Sequence, residues 1–225
     1  MKKLSILVPV FNEAAYVHRC LENVVKADVP GWEKEIIVVD DGSTDASLAI
    51  VQDFNRKHPL IILSSRSNGG KGAALRRAAQ EASGDVLIVQ DADLEYDPDD
   101  YKELLSVYAN TQTNVVYGSR ILGARVHRNY NANVFFYIGG IILTHVVNLL
   151  FGTHLTDQPT GYKSWRRSLN EGLLRYCKRN DFGFEIEMTA YFSQRGGILE
   201  VPIRYYPRAM HHGKKLRPKD FFISI

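Results

Sequence analysis

The stretch IVQDADLEYDPDD, residues 88–100, ends an apolar run with six carboxylates. Crowded carboxylates repel and raise one another's pKa unless a proton or a cation stands between them. Asp91 and Asp93 are two residues apart, so on an extended chain their side chains leave one face and reach one ion. Oxygen-only donors suit Mg2+ or Mn2+, ions that take one or two protein carboxylates and fill their shell with phosphates and water. Glu95 is a candidate third ligand. Asp97 before Pro98 reads as the cap of a following helix, with Asp99 and Asp100 as acids of its first turn. A solvated acidic loop is the alternative for the whole string.

Three further strings hold candidate chemistry. VDDGSTD, residues 39–45, leaves a strand through Asp40 and Asp41 and turns at Gly42. Acids so placed accept hydrogen bonds from a base or ribose, or else form a plain turn and helix cap. SNGGKGAAL, residues 67–75, lacks the Walker pattern because Ser65 and Gly72 stand where Gly and Ser or Thr are required. Its glycines and Lys71, at a helix start, still suit a diphosphate. Asp157 in LTDQPTG is a candidate general base or a structural turn acid. Glu185 and Glu187 in FGFEIEM read as a solvated helix face.

The elements that must position these residues follow from hydrophobic period. Residues 4–10, 35–39, 60–63 and 86–89 are short apolar runs, as strands buried on both faces should be. Residues 12–25, 44–57 and 72–82 carry helix-period apolar positions, with Asn12 and Ser43 or Thr44 as caps. The first half is therefore a βαβαβαβ array with a mostly parallel sheet. Ligands of such sheets sit beyond the carboxyl ends of the strands, where VFNE, DDGSTD and QDAD all fall.

The 225 residues are 45% hydrophobic and carry a net charge of +3, enough for one sizeable domain and too little charge for general nucleic-acid binding. Charge is unevenly spread, with the acids around Asp91 and a basic, acid-free run at 204–219 up to Lys219. Two distant cysteines, Cys20 and Cys177, indicate neither a disulfide framework nor a zinc site, which fits a reducing cytoplasm. Pro9, Asn12 and Glu13 cut short the apolar start, which reads as a strand rather than a leader. The run at 134–151 is almost wholly apolar but short for a membrane span and holds Gly139, Gly140, His145 and Asn148. It reads as a core helix or, within residues 132–151, as an interfacial helix beside Arg120, Arg125 and Arg128.

The ordered strings VPVFNEA, VDDGSTD, GGKGAAL, DADLEYDP, GSR, LTDQPTGYKSWRR and EVPIRYYPR resemble the family-2 glycosyltransferases over residues 4–216. Within that family they are similar to the polyprenyl-phosphate hexose synthases of the dolichyl-phosphate mannose synthase type. The resemblance implies an α/β GT-A (Rossmann-like) fold, a single domain, and inverting transfer from a UDP- or GDP-sugar to a polyprenyl phosphate. It further implies that Pro9, Phe11, Glu13, Asp40 and Asp41 line the nucleoside pocket, with Lys71 near the nucleotide. Asp91, Asp93 and Glu95 would hold Mg2+ or Mn2+; relatives often have Gln at the position of Glu95. Arg120, Arg128 and Arg208 match positions associated with the acceptor phosphate or the diphosphate, with Arg125 a rival to Arg128. Asp93, Arg120 and Asp157 are the catalytic candidates. A phosphate acceptor is already anionic and needs positioning more than a base, whereas a sugar acceptor, the alternative, needs deprotonation. A non-catalytic nucleotide-sugar or anionic-surface binding module is the remaining alternative. The expected location is cytoplasmic, peripheral to the membrane's cytoplasmic face.

Overall fold

Leu4, Ile6, Val8 and Val10 pack on one side of the first strand and Leu7 on the other, all of them buried. That two-sided burial requires layers on both faces of a sheet. The computed structural model describes residues 1–110, 112–127 and 134–208 and shows those layers. The chain runs β1 (Lys2–Val10), α1 (Val17–Lys26), β2 (Trp32–Asp40), α2 (Ser47–Asn55), β3 (Ile61–Ser64), α3 (Lys71–Glu81) and β4 (Val86–Val89). It continues with α4 (Tyr101–Asn110), β5 (Val115–Ser119), α5 (Arg120–His127), α6 (Val134–Phe151), β6 (Lys163–Arg166), α7 (Asn170–Tyr176), α8 (Gly183–Ser193) and β7 (Leu199–Pro202).

The seven strands lie in the order β3-β2-β1-β4-β6-β5-β7. Pairings β1–β2, β1–β4, β2–β3 and β5–β7 are parallel, while β6 runs against both β4 and β5. The mostly parallel α/β sheet is thus as expected, with one reversed strand that no sequence pattern marked. Side chains of α1, α2 and α4 cover one face, and those of α3, α7 and α8 the other. In α1, Val17, Cys20, Leu21 and Val24 are buried at a period matching one helical face, which docks the helix. Lys34 terminates it by donating to the carbonyls of Val24, Val25 and Ala27.

Two local expectations need correction. Neither Asn12 nor Ser43 or Thr44 caps its helix: α1 begins at Val17 and α2 at Ser47, both without a side-chain cap. Asn12 takes a left-handed backbone (φ 49) and joins the two loops instead. Its Oδ1 accepts from the Thr44 N–H at 2.8 Å, and its own N–H donates to Ser43 Oγ at 3.0 Å. The second correction concerns Asp91 and Asp93. Strand β4 stops at Val89, so a turn rather than strand alternation sets their directions. Leu94 is left-handed (φ 63) and the Glu95 N–H closes back on Asp93 Oδ1 at 3.1 Å.

Candidate active site

The carboxyl ends of β1, β2 and β4 lie side by side, because the Asp41 N–H donates to Val10 O and the Gln90 N–H to Leu7 O. Pro9 is partly buried within β1 beside Val39, and Phe11 follows it, also partly buried. Asp40 is buried; its Oδ2 accepts from the Ser43 N–H at 3.1 Å, while Oδ1 is buried with no hydrogen-bond partner among the described residues. Asp41, also buried, accepts from the N–H groups of Gly69 (3.0 Å) and Gly70 (2.8 Å). It therefore shapes the glycine-rich loop, a duty its sequence position does not reveal. Gly42 (φ 73) brings this turn against the backbone of Ser67, where a Cβ would lie 2.5 Å from the carbonyl carbon.

Lys71 opens α3 and lies 2.8 Å from both Asp91 Oδ1 and Glu185 Oε1. Burial would discharge its ammonium, but the charges of Asp91 and Glu185 outweigh burial and hold the pKa above the ordinary lysine range. Glu185 is therefore no solvated helix acid. Its pKa is lowered because Lys163 and then Lys71 overcome the opposing effect of burial. Lys163 is itself almost wholly buried, with its pKa lowered by burial. The signal that sequence reasoning missed is α8 itself, whose residues Phe184, Glu185, Met188, Thr189, Ala190, Tyr191 and Phe192 are all buried. Glu187, two residues on, stays partly exposed and accepts from the Lys178 and Arg179 N–H groups at 2.7 and 2.9 Å.

The acidic turn meets its second cation from the C-terminal side. Arg208 places one guanidinium nitrogen 2.9 Å from Asp93 Oδ2, another 3.2 Å from Glu13 Oε2, and Nε 3.6 Å from Glu95 Oε1. Glu95 also accepts from the Tyr205 hydroxyl at 2.7 Å and from the Arg208 N–H at 3.1 Å. One guanidinium thus serves three carboxylates. Burial, Asp91 and Glu95 together push Asp93 up to about 7 despite its Arg208 contact. Asp97 accepts from the Asp99 N–H, the expected cap, and also pairs with Arg204 at 3.0 Å. The opposite charges read from the sequence therefore do meet, although Arg204 is bound to Asp97 and Asp100 rather than presented outward.

The chemistry of this turn fits a hard divalent cation. Its donors are all oxygens, and burial together with the charges of Asp91 and Glu95 makes ionisation of Asp93 costly, a cost that a bound cation would offset. Asp91 and Asp93 are the fitting pair, whereas the Glu95 carboxylate is engaged with Tyr205 and Arg208. Among the described residues no three His, Cys, Asp or Glu side chains are gathered as a ready-made metal cage.

Arg120 begins α5, where its Nε and one terminal nitrogen donate to both oxygens of Asp157 at 2.8 and 2.7 Å. The Arg120 N–H adds a third bond to Asp157 Oδ2 at 2.8 Å. Asp157 is 3% exposed, and its approach is further fixed by its own N–H donating to Glu200. The guanidinium lies 5.1 Å from the ring centre of Tyr205, whose hydroxyl donates to Glu95 of the acidic turn. Arg128 lies outside the described residues, as does the basic run beyond Arg208. In α6, Leu143, Thr144 and Val147 are buried, while Val134, Ile138, Ile142, Leu149 and Leu150 are exposed. Asn148 spends its polar atoms on Thr153 and Leu155 at the helix end, and His145 faces the Ile141 carbonyl. Among the described residues no helix is long and apolar enough to cross a membrane.

Residues 5–174 match the profile described as Glycosyl transferase family 2. The chain belongs to glycosyltransferase family 2. A dolichol-phosphate mannosyltransferase of Pyrococcus furiosus is 28% identical over 221 residues, 98% of this chain and 61% of that protein. An undecaprenyl-phosphate 4-deoxy-4-formamido-L-arabinose transferase of Pectobacterium atrosepticum is 28% identical over 186 residues, covering 81% of this chain and 54% of that one. The chain thus spans little more than half the length of these relatives. Its fold matches glucosyl-3-phosphoglycerate synthase from Mycobacterium tuberculosis in complex with Mn2+, UDP and glucosyl-3-phosphoglycerate. That match has a TM-score of 0.65 and 21% identity, over 94% of this chain and 74% of that one. The α/β sheet is accordingly of the GT-A type.

Proposed function

We propose that the chain is a single GT-A domain that transfers a sugar, with inversion, from a UDP- or GDP-sugar to a polyprenyl phosphate. The observation that carries this reading is the acidic turn met from two sides by basic side chains, Lys71 from the glycine-rich loop and Arg208 from the C-terminal segment. Asp91 and Asp93, with Glu95 beside them, are the residues that would hold Mg2+ or Mn2+. Such an ion, when bound, neutralises charge growing on the leaving diphosphate. Lys71 and Arg208 would then share their carboxylate partners with the ion and could turn to phosphate oxygens. The buried, unpartnered Asp40 Oδ1 offers an acceptor to the nucleoside; the Gly69 and Gly70 N–H groups are spent on Asp41 and that of Gly72 on Asn180 O, so Lys71 rather than the loop amides is the loop's contact to the diphosphate.

On the acceptor side, Arg120 is oriented by Asp157 toward the same end of the sheet and supplies the positive charge that a lipid phosphate requires. Both Asp157 oxygens are engaged by Arg120, an arrangement suited to holding a guanidinium rather than to taking a proton. Arg128 is retained as a candidate second acceptor contact. The exposed apolar residues of α6 supply a surface for peripheral attachment at the cytoplasmic face, where a lipid phosphate is presented. The named relatives that act on dolichol- or undecaprenyl-phosphate support the acceptor class.

The test is transfer of radiolabelled sugar from a panel of UDP- and GDP-sugars to prenyl phosphate in detergent, with Mn2+, Mg2+ or EDTA. The expected result is labelled prenyl-phosphate sugar from one donor, lost in EDTA. Labelling of a free oligosaccharide with none on prenyl phosphate favours the sugar-acceptor alternative. Nucleotide binding without transfer to either favours the binding module.

A further inference from the structure

Glu185 sits in the first turn of α8 and is 9% exposed, so its charge must be matched from within the protein. Lys71 Nζ lies 2.8 Å from one of its oxygens and Lys163 Nζ lies 3.7 Å from the other. With Asp91 on the far side of Lys71, a chain of alternating charge runs Asp91, Lys71, Glu185, Lys163. We infer that Glu185 is a positioning residue for the donor diphosphate, resting on the donor proposed above: it keeps the Lys71 ammonium at the mouth of the glycine-rich loop once Asp91 turns to a cation.

The geometry gives Glu185 a firm base for that task. The Gly72 N–H donates to Asn180 O at 2.8 Å, and Arg76 donates to the carbonyls of Lys178 and Arg179 at 3.1 and 2.5 Å. A Cβ on Gly72 would lie 2.5 Å from Arg179 O and 2.7 Å from Phe184 Cβ. The starts of α3 and α8 are therefore locked together, and Glu185 and Lys71 share one rigid frame. A lysine side chain has long, flexible reach, and one fixed counter-charge limits where its ammonium goes. The other partner of Glu185 extends its influence, because Lys163 donates to Gln158 O at 2.9 Å and to Thr160 O. The same carboxylate thus ties the donor loop to residues 158–160, next to Asp157.

Calorimetry with UDP, GDP, uridine and guanosine, in Mn2+, separates this role from a structural one. Glu185→Gln is expected to weaken the bound nucleoside diphosphate about tenfold, with the nucleoside alone unchanged; the melting temperature falls because Lys163 loses its counter-charge, but the fold, checked by circular dichroism, is kept at the assay temperature. Lys71→Met should show the same selective loss. The double variant should bind no more weakly than Lys71→Met, because Glu185 acts through Lys71. Equal loss for nucleoside and diphosphate, additive losses in the double variant, or full diphosphate affinity in Glu185→Gln would overturn the inference. Should Glu185→Gln fail to fold beside the buried Lys163, Glu185→Gln with Lys163→Met removes both charges and is read the same way. A wild-type chain that binds none of the four ligands overturns the proposed donor itself, whereas the variant outcomes overturn only the role of Glu185.

Discussion

Two charged clusters lie close together at one end of the sheet, and they are built on opposite principles. Arg120 and Asp157 form a closed pair: three hydrogen bonds satisfy both oxygens of one buried carboxylate. Around Arg208, three carboxylates share one guanidinium, and Asp93 is pushed up to about 7 by burial and by its acidic neighbours. A closed pair holds its own geometry. An overloaded cluster gains from an added cation, which is what the proposed divalent ion would supply.

The sharpest way to break the comparison is to neutralise one carboxylate in each region. In the overloaded cluster, Asp93→Ala should reduce transfer roughly a thousandfold, since several kcal/mol of charge stabilisation at the diphosphate depend on it. Sugar transfer measured at saturating Mn2+ checks this. In the closed pair, Asp157→Asn leaves the Arg120 charge without its buried partner and should cost about 3 kcal/mol of stability, read from urea denaturation.

The effect on melting should even differ in sign. Asp93 has its pKa raised in the folded protein, so between the ordinary aspartate range and about 7 the native state binds more protons than the unfolded one. Its ionisation therefore lowers stability progressively as pH rises through that window. Asp93→Asn should melt above the wild type at pH 8 without metal and level with it near pH 3, whereas Asp157→Asn should melt below the wild type at pH 8. The smallest effect concerns the apolar face of α6. Leu149 is 87% exposed, so Leu149→Glu should leave melting unchanged while lowering binding to anionic vesicles by a few-fold, measured by flotation.

Much of this was legible in the sequence because it is local. The apolar runs of β1, β2, β3 and β4 and the acids at their ends carry the parallel array and the cleft by period and position alone. The reversed β6 was not legible, since its strand Lys163–Arg166 is four residues long and is held by pairing to both β4 and β5. Asn12 illustrates the same limit. It is a good cap by type, yet its partner is Thr44, brought near only when β1 and β2 pair. Glu185 reads as a solvated acid because helix charges usually are; only the apolar Phe182, Phe184 and Ile186 beside it hint otherwise, and its partner Lys163 lies on β6, distant in sequence. The hold of the Glu95 N–H on the Asp93 carboxylate depends on a left-handed Leu94, a backbone state that its residue type does not announce.

The most direct test of the overloaded cluster is Mn2+ uptake followed by electron paramagnetic resonance, in the presence of UDP or GDP, for the wild type and Asp93→Asn. A single ion taken up by the wild type with one of the two nucleotides, and lost in Asp93→Asn, is the predicted result. Equal uptake by both proteins, or none by the wild type with either nucleotide, would contradict it.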